Sequence, residues 1–305
     1  MNGELSASLH EPLYAALWSF GSGWIVLTVV LMSSRRTREG VRAVVRAVRG
    51  GRIPLWQSLG GLLGGTYVLV QSYAVPLAGV ALFTVAVVGG QTGNAIVVDR
   101  LGLGPSGRTA VTGLRVLAAT LATVGVAIAV FGRVQATSGP VVAAAAATGA
   151  AVVVPVALAL LVGGLHAVQS AINGRVNVIS GTPWATTWLN FTNGVALLLL
   201  VAGIRGLAGG LGPVHAADPP GWVWFGGLAG VVFVGVVAVV VRHLGVLHTM
   251  LVLLCGQLLG AVALDLLNPA TRHTVTVVVV SGLVLTAVAA ALPSLVSGTS
   301  RTGRR

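Results

Sequence analysis

The sequence predicts an all-α polytopic membrane protein made of two helical repeats that are inverted relative to each other. Hydrophobic residues make up 55% of the 305 residues and charged residues only 8%, whereas a soluble domain carries roughly 25% charged residues. Such a composition cannot cover a water-exposed surface, so lipid surrounds most of the chain. In addition, the segment Gly89–Asp99 returns as Cys255–Asp265, which makes the chain a tandem repeat.

The repeat rests on residue types that seldom match by chance. Gly90-Gln91 aligns with Gly256-Gln257, and Asp99 aligns with Asp265. The same offset of 166 residues aligns Pro54 with Pro220, Trp56 with Trp222, Gly60-Gly61 with Gly226-Gly227, Gly64 with Gly230, and Gly79 with Gly245. Nearer the N-terminus, an offset of 171 aligns Asn2-Gly3 with Asn173-Gly174, Pro12 with Pro183, Phe20 with Phe191, and Gly23 with Gly194.

Nine apolar segments are predicted to be transmembrane helices, because a bilayer core needs roughly 20 apolar residues. Before them, Glu4 and Glu11 stand where a secretory signal would carry basic residues, so no such signal is predicted. The nine segments are Leu13–Met32, Trp56–Ala74, Leu77–Val98, Ala110–Phe131, Val152–Ile172, Trp184–Val201, Trp222–Val241, Leu247–Leu267 and Thr274–Leu292.

Residues 34–53 form a strongly basic segment between the first two spans. A stripe of four valines at helical spacing predicts a short helix lying in the cytoplasmic interface, with the stripe facing the membrane: Val41, Val44, Val45 and Val48. A basic loop that only sets the topology is the simpler alternative, and we favour it.

The arginines predict the orientation. If the spans alternate from an external N-terminus, the basic segment falls inside, together with Arg100, Arg108, Arg175, Arg242 and the arginines of the tail. Only Arg133, Arg205 and Arg272 fall outside. This bias matches the positive-inside rule and predicts a multi-pass protein of the bacterial inner (plasma) membrane with a cytoplasmic C-terminus.

The repeat divides the chain into residues 1–140 with four spans, residues 141–296 with five, and a basic tail at 297–305. The alanine run Ala143–Ala147 is the predicted joint. Five-helix units in tandem must be inverted, which is a design of secondary transporters with a binding site at the interface between the repeats. The first unit lacks its first helix, because the gene start is placed too late, which we favour, or because the helix has been lost.

Two patterns resemble a known family. One is GGLHAVQSAINGRV followed by GTPWATTWLNFTNGVALLLL, and the other is P-x-W…GG…GQ…D, present at Pro54–Asp99 and again at Pro220–Asp265. Together they resemble the YdcZ-like branch of the drug/metabolite transporter (DMT) superfamily. The resemblance implies ten helices in two inverted halves, cytoplasmic termini, and transport of small organic solutes. The chain departs from it by lacking the first helix.

Polar residues within the spans are the candidate substrate-binding residues, because a polar group at membrane depth must face protein or water. Gln91 and Gln257 are repeat equivalents that would offer donors and acceptors to a solute; their alternative role is hydrogen bonding between helices. Asn94 lies close to Gln91 on the same predicted helix.

A second set lies in the fifth and sixth spans. His166, Gln169 and Asn173 share one helical face, and Trp188 and Asn190 follow in the next span. Amides beside an aromatic ring suit a solute with a planar or cationic part. For His166 we favour a packing role over that of a proton carrier, and Trp188 is equally well explained as an interfacial anchor.

Asp99 and Asp265 close their spans and are candidates for a gating or helix-end role. We expect Asp99 to form an exposed pair with Arg100. Acids are too few, and histidines too scattered, for an enzyme or a metal site, so neither catalytic residues nor a cofactor is predicted.

The function predicted from these observations is secondary transport of a small organic solute, uptake or efflux, by alternating access between the repeats. The partners are a small-molecule substrate and the lipid bilayer, without nucleic acid. A flippase for lipid headgroups or lipid carriers would instead open its polar residues sideways to lipid. A membrane scaffold would have no cavity.

Overall fold

The computed structural model describes residues 2–136, 149–212, 220–267 and 275–299. In this part of the chain all regular secondary structure is helical, as predicted. The α-helices are α1 (Asn2–Leu9), α2 (Pro12–Ser33), α3 (Arg35–Arg49), α4 (Gly60–Leu101), α5 (Gly113–Ala136), α6 (Gly149–Ser180), α7 (Pro183–Leu207), α8 (Gly226–Leu244), α9 (Val246–Leu267) and α10 (Val277–Thr299). Single 3₁₀ turns, Leu55–Ser58 and Gly221–Phe225, precede α4 and α8.

Within the described residues, length and composition allow five segments to cross a membrane, as expected of a polytopic membrane protein. They are Pro12–Ser33, Gly113–Gly132, Val153–Ser180, Pro183–Leu207 and Gly221–Leu244. Shorter apolar stretches, Val246–Gly260 and Val277–Leu292, lie in α9 and α10. The count of nine transmembrane helices, the division into two halves and the cytoplasmic C-terminus remain predictions. The joint Ala143–Ala147 and the tail 300–305 lie outside the described residues.

Helix α4 folds back on itself. It has 42 residues, and would be ~63 Å long if it were straight. Yet the rings of Tyr67 and Phe83, which would be ~24 Å apart along a straight helix, have their centroids 6.2 Å apart. Pro76 lies between them and removes a backbone hydrogen bond. The helix therefore has two limbs, one on each side of Pro76.

Glycines let α4 and α6 approach closely. A β-carbon on Gly90 would lie 2.0 Å from the carbonyl oxygen of Leu160, and one on Gly163 would lie 2.2 Å from that of Val87. Near this crossing, Asn94 Nδ2 donates to the carbonyl oxygen of Gly164 at 2.7 Å. Small residues at such crossings are how membrane helices pack tightly.

Residues that the sequence repeat aligns pack against each other where α2 meets α7. The ring centroids of Phe20 and Phe191 are 4.8 Å apart. A β-carbon on Gly23 would lie 2.3 Å from the Phe191 ring, and one on Gly194 would lie 2.2 Å from the Phe20 ring. The contact is therefore reciprocal.

The helix predicted in the basic segment is α3, and it is docked on the protein. Its buried residues are Thr37, Gly40, Val44 and Ala47, whereas Val45 of the predicted stripe is 39% exposed. Arg36 Nη2 donates to the carbonyl oxygen of Gly181, in the turn between α6 and α7, at 3.3 Å. The segment is thus a helix and not only the favoured loop, and its buried face includes Val44 but not Val45 of the stripe, because it packs on the protein.

We call the end of the molecule that carries α3 the basic end. Arg175, near the end of α6, lies there and donates to Gln57 Oε1 at 3.3 Å and to the carbonyl oxygen of Gly102 at 3.2 Å. These bonds place the start and the end of α4 at the same end of the molecule. The bend of α4 lies at the opposite end.

One backbone feature differs between the aligned segments. Gly245 separates α8 from α9 and has a φ of 76°, a conformation that favours glycine. Its repeat equivalent, Gly79, lies inside the continuous helix α4. In the second repeat the chain therefore changes direction at Gly245, between two helices, whereas in the first repeat it bends within the continuous helix α4.

Candidate functional site

A cavity of about 1020 Å³ lies between the helices, on the side of the molecule away from the basic end. Many of its walls are pairs of repeat equivalents. These pairs are Phe20 and Phe191, Gly64 and Gly230, Tyr67 and Phe233, Val68 and Val234, and Gln91 and Gln257. Both sequence repeats thus contribute equivalent residues to a single space.

The predicted glutamines are brought together by this cavity. Gln91 is buried, and its Oε1 lies 3.3 Å from His166 Nδ1, whereas Gln257 is exposed to the cavity. The His166 ring lies between the rings of Tyr67 and Phe233, with centroid distances of 5.4 and 5.8 Å. His166 is therefore held by an amide and by two aromatic rings that the repeat aligns.

A cluster of three amides closes the cavity toward the basic end. Gln169 Nε2 and Asn173 Nδ2 both donate to Asn190 Oδ1, each at 3.0 Å. Gln169 lines the cavity, whereas Asn173 and Asn190 lie behind it. The Nδ2 of Asn190 is buried without a hydrogen-bond partner on the protein. The predicted set of amides thus forms the floor of the cavity.

The cavity does not extend beyond this floor among the described residues. Its lining on α6 ends at Gln169, and its lining on α9 starts only at Leu254, two turns into that helix. Arg175, which bonds to Gln57 and to the carbonyl oxygen of Gly102, lies beyond the floor, toward the basic end. The described structure is therefore closed at the basic end.

Asp99 is part of this closed end, and its expected exposed pair with Arg100 is wrong. Asp99 is 4% exposed. Its carboxylate pairs with Arg115 and accepts the backbone N–H groups of Val246 at 3.1 Å and Leu247 at 3.2 Å. Because these are the first residues of α9, the carboxylate of Asp99 caps that helix. It therefore ties the end of α4 to the starts of α5 and α9.

Asn94 and Trp188 of the predicted site lie outside the cavity lining. Asn94 bonds to the backbone of α6, as described above. Trp188 Nε1 donates to Thr28 Oγ1 at 3.2 Å, between α7 and α2. Asp265 belongs to the last turns of α9, and its side chain lies outside the described residues.

Besides aromatic residues such as Tyr67 and Phe233, the sequence reasoning missed one charged lining residue, Glu4. It belongs to α1 and, within the described part of the chain, it is the only Asp, Glu, Lys or Arg that lines the cavity. The available signal was the alignment of Asn2–Pro12 with Asn173–Pro183, which places Glu4 in register with Arg175 of α6. This alignment with α6 predicts a helix at the start of the chain, whereas the apolar pattern of these residues predicts none.

Within the described residues, no group of three or more His, Cys, Asp or Glu side chains lies together as a metal site would require. What the cavity offers is hydrogen-bonding groups, aromatic rings and one carboxylate. Such groups can bind a solute.

Comparison with known proteins now adds the family. No curated protein matches the chain. Residues 1–128 and 154–292 match a family described as "Putative inner membrane exporter, YdcZ". This match covers both sequence repeats, confirms the resemblance, and identifies a family of membrane exporters and not of enzymes. With its apolar helices and its cavity, the chain belongs to the YdcZ-like branch of the DMT superfamily, a family of inner-membrane transport proteins.

Proposed function

We propose that this protein moves a small organic solute across the inner membrane by alternating access, with the cavity as the binding site. The observation that carries the proposal is the origin of the cavity walls. Repeat-equivalent residues, above all Gln91 and Gln257, line one space of about 1020 Å³. A binding site at the interface between inverted repeats is the design of many secondary transporters.

The lining supports a solute that is partly apolar. Pockets for such ligands measure roughly 300–1,000 Å³ and are mostly apolar with a few placed polar groups. Here the rings of Tyr67 and Phe233 flank His166, while Gln91, Gln169 and Gln257 supply amides. A planar solute with hydrogen-bonding groups would use both kinds of wall.

The arginines support an outward-facing state. The exposed arginines of α3 and the bonded Arg175 support a cytoplasmic location for the basic end, because positive charge favours that side of the membrane. The amide floor and the Asp99–Arg115 pair would then form the cytoplasmic gate, since both lie between the cavity and that end. Transport would require both to open.

Of the alternatives, a scaffold accounts least well for the structure, because it needs no cavity. A flippase would also need a cavity, but one from which polar groups reach lipid. The two transport functions can be separated by experiment, since only a flippase would move a labelled lipid between leaflets.

The direct test is release of solutes from vesicles. The purified protein is reconstituted into vesicles loaded with a mixture of small metabolites, and the released compounds are measured by mass spectrometry. We expect protein-dependent release of a few compounds, reduced at least about ten-fold in the Gln91→Leu/Gln257→Leu variant. Thr120→Val is the matched control, because Thr120 is exposed on α5 outside the cavity. Equal release by the double variant and the control would refute the proposal.

A further inference from the structure

The charge of the cavity points to the class of solute, and we infer that the cavity selects organic cations, with Glu4 as the anchor for their positive charge. That such cations are transported rests on the proposed function. That they bind rests only on the residues that line the cavity.

The first observation is an unbalanced carboxylate. Among the described lining residues, Glu4 carries the one formal charge that does not depend on histidine protonation. Its side chain is exposed. A charge of one sign in a cleft with low-dielectric walls concentrates ligands of the opposite sign.

The second observation is that the nearby arginines do not line the cavity. Arg175, the repeat equivalent of Glu4, donates to Gln57 and to Gly102 behind the amide floor. Arg205, at the other end, donates to Glu11 Oε1 at 2.7 Å. These guanidinium groups are therefore hydrogen-bonded outside the cavity, whereas the carboxylate of Glu4 lines it.

The third observation is the aromatic wall. The rings of Tyr67, Phe83 and Phe233 line the same space, together with the pair Phe20 and Phe191. Aromatic faces attract cations through their quadrupole, most strongly where water is excluded. Aromatic rings are a common means of binding a quaternary ammonium group, and here they line the same cavity as the carboxylate of Glu4.

Helix α1 holds Glu4 in place. Asn2 Nδ2 donates to Gln71 Oε1, on the first limb of α4, at 3.2 Å. Leu5 is fully buried and belongs to a cluster with Ala15 and Val223. The carboxylate therefore stands on a packed helix, which limits the entropy lost when a ligand binds.

The test compares two probes of the same shape. 3-Hydroxyphenyltrimethylammonium is a cation, and 3-tert-butylphenol is its neutral isostere with carbon in place of nitrogen. Binding of each to the purified protein in lipid nanodiscs is measured by isothermal titration calorimetry. We expect the cation to bind at least about ten-fold more tightly than the isostere, because only the cation gains from the carboxylate and the ring faces.

Variants then assign the preference to Glu4. Glu4→Gln should weaken cation binding about ten-fold and leave 3-tert-butylphenol unchanged, which also shows that the cavity is intact. Glu4→Asp should keep most of the affinity for the cation. Glu39→Gln removes the same charge from the exposed pair with Arg35 on α3 and should change neither probe. Absent cation binding, equal binding of both probes, or an unchanged Glu4→Gln variant would each overturn the inference.

The inference and the proposed function fail separately. Selective cation binding without release of any solute from vesicles would reject transport and keep the cation site. Release of neutral or anionic metabolites that Glu4→Gln leaves unchanged would reject the cation site and keep transport.

Discussion

The two sequence repeats agree at the cavity and differ at the cavity's edges. At the centre, Gln91 and Gln257 line the same space, as do Tyr67 and Phe233. At the edges, Glu4 lines the cavity while its equivalent Arg175 is bonded behind the floor. Packing at the centre therefore follows the repeat, whereas charge does not. We expect the shared residues to make the site and the unshared charges to decide what it binds and when it opens.

The largest effect is expected at the closed end, which Asp99 of the first repeat holds together. In Asp99→Ala, Arg115 keeps a buried charge without its partner, and two N–H groups of α9 lose their cap. Breaking a buried ion pair costs about 3–5 kcal/mol, so the midpoint of thermal unfolding, followed by tryptophan fluorescence in detergent, should fall sharply.

Two further variants check this explanation. Asp99→Ala/Arg115→Ala should be more stable than the sum of the single losses predicts, because no buried charge is left unpaired. Glu39→Gln, which breaks an exposed pair, should cost about 0.5 kcal/mol or less. A midpoint for Asp99→Ala equal to that of Glu39→Gln would contradict the role of Asp99 in holding the closed end.

The next largest effect on stability is expected from alanine substitutions at the aligned residues Gly90 and Gly256. A β-carbon on Gly90 would meet the Leu160 carbonyl oxygen at 2.0 Å, whereas one on Gly256 would meet no atom within 4 Å. Gly90→Ala should therefore lower the free energy of unfolding by about 1–3 kcal/mol. Gly256→Ala should raise it by up to about 1 kcal/mol, since alanine favours a helix. Similar unfolding midpoints for the two variants would show that the halves pack alike here.

A smaller effect is expected at the aligned glutamines. Gln91→Leu leaves His166 Nδ1 without its partner, which lies at 3.3 Å, so it should lower both solute release and stability, the latter by about 1 kcal/mol. Gln257 is exposed to the cavity, so Gln257→Leu should lower release alone. The vesicle assay and thermal unfolding measure the two effects. A Gln257→Leu variant that is less stable than Gln91→Leu would contradict the structural role assigned to Gln91.

The smallest effect tests a tryptophan from each half. Trp24 Nε1 donates to Thr192 Oγ1 at 3.0 Å, and Trp188 Nε1 donates to Thr28 Oγ1 at 3.2 Å, so each joins α2 to α7. Trp24→Phe and Trp188→Phe should each cost about 1 kcal/mol or less and leave solute release unchanged. Loss of release in Trp188→Phe alone would support its predicted role in binding substrate.

The repeat made the centre of the site predictable from sequence. Matching Gln91 to Gln257 placed two residues 166 positions apart in one cavity, and helical spacing placed His166 and Gln169 on one wall. These inferences need only the periodicity of a helix and the symmetry of a repeat, and both are written in the sequence.

The remaining features depend on long-range contacts that no local pattern encodes. Asp99 bonds to Arg115 because the chain after α4 folds back, and Thr109 N–H donates to the Asp99 carbonyl oxygen at 2.9 Å. Glu4 was missed because an eight-residue helix is too short to produce a membrane-spanning signal. Val45 of α3 is exposed because the helix packs on the protein through the neighbouring face that carries Val44 and Ala47.

The contact between Phe20 and Phe191 has a consequence for how such a chain can change. In a two-fold homodimer, the residue at the axis meets its own copy, and every substitution there acts twice. Here the equivalent residues belong to one polypeptide, and each can be replaced alone. Aligned positions of one chain can therefore carry different residues, as Glu4 and Arg175 do. A symmetric pair of subunits could not acquire opposite charges at such equivalent positions.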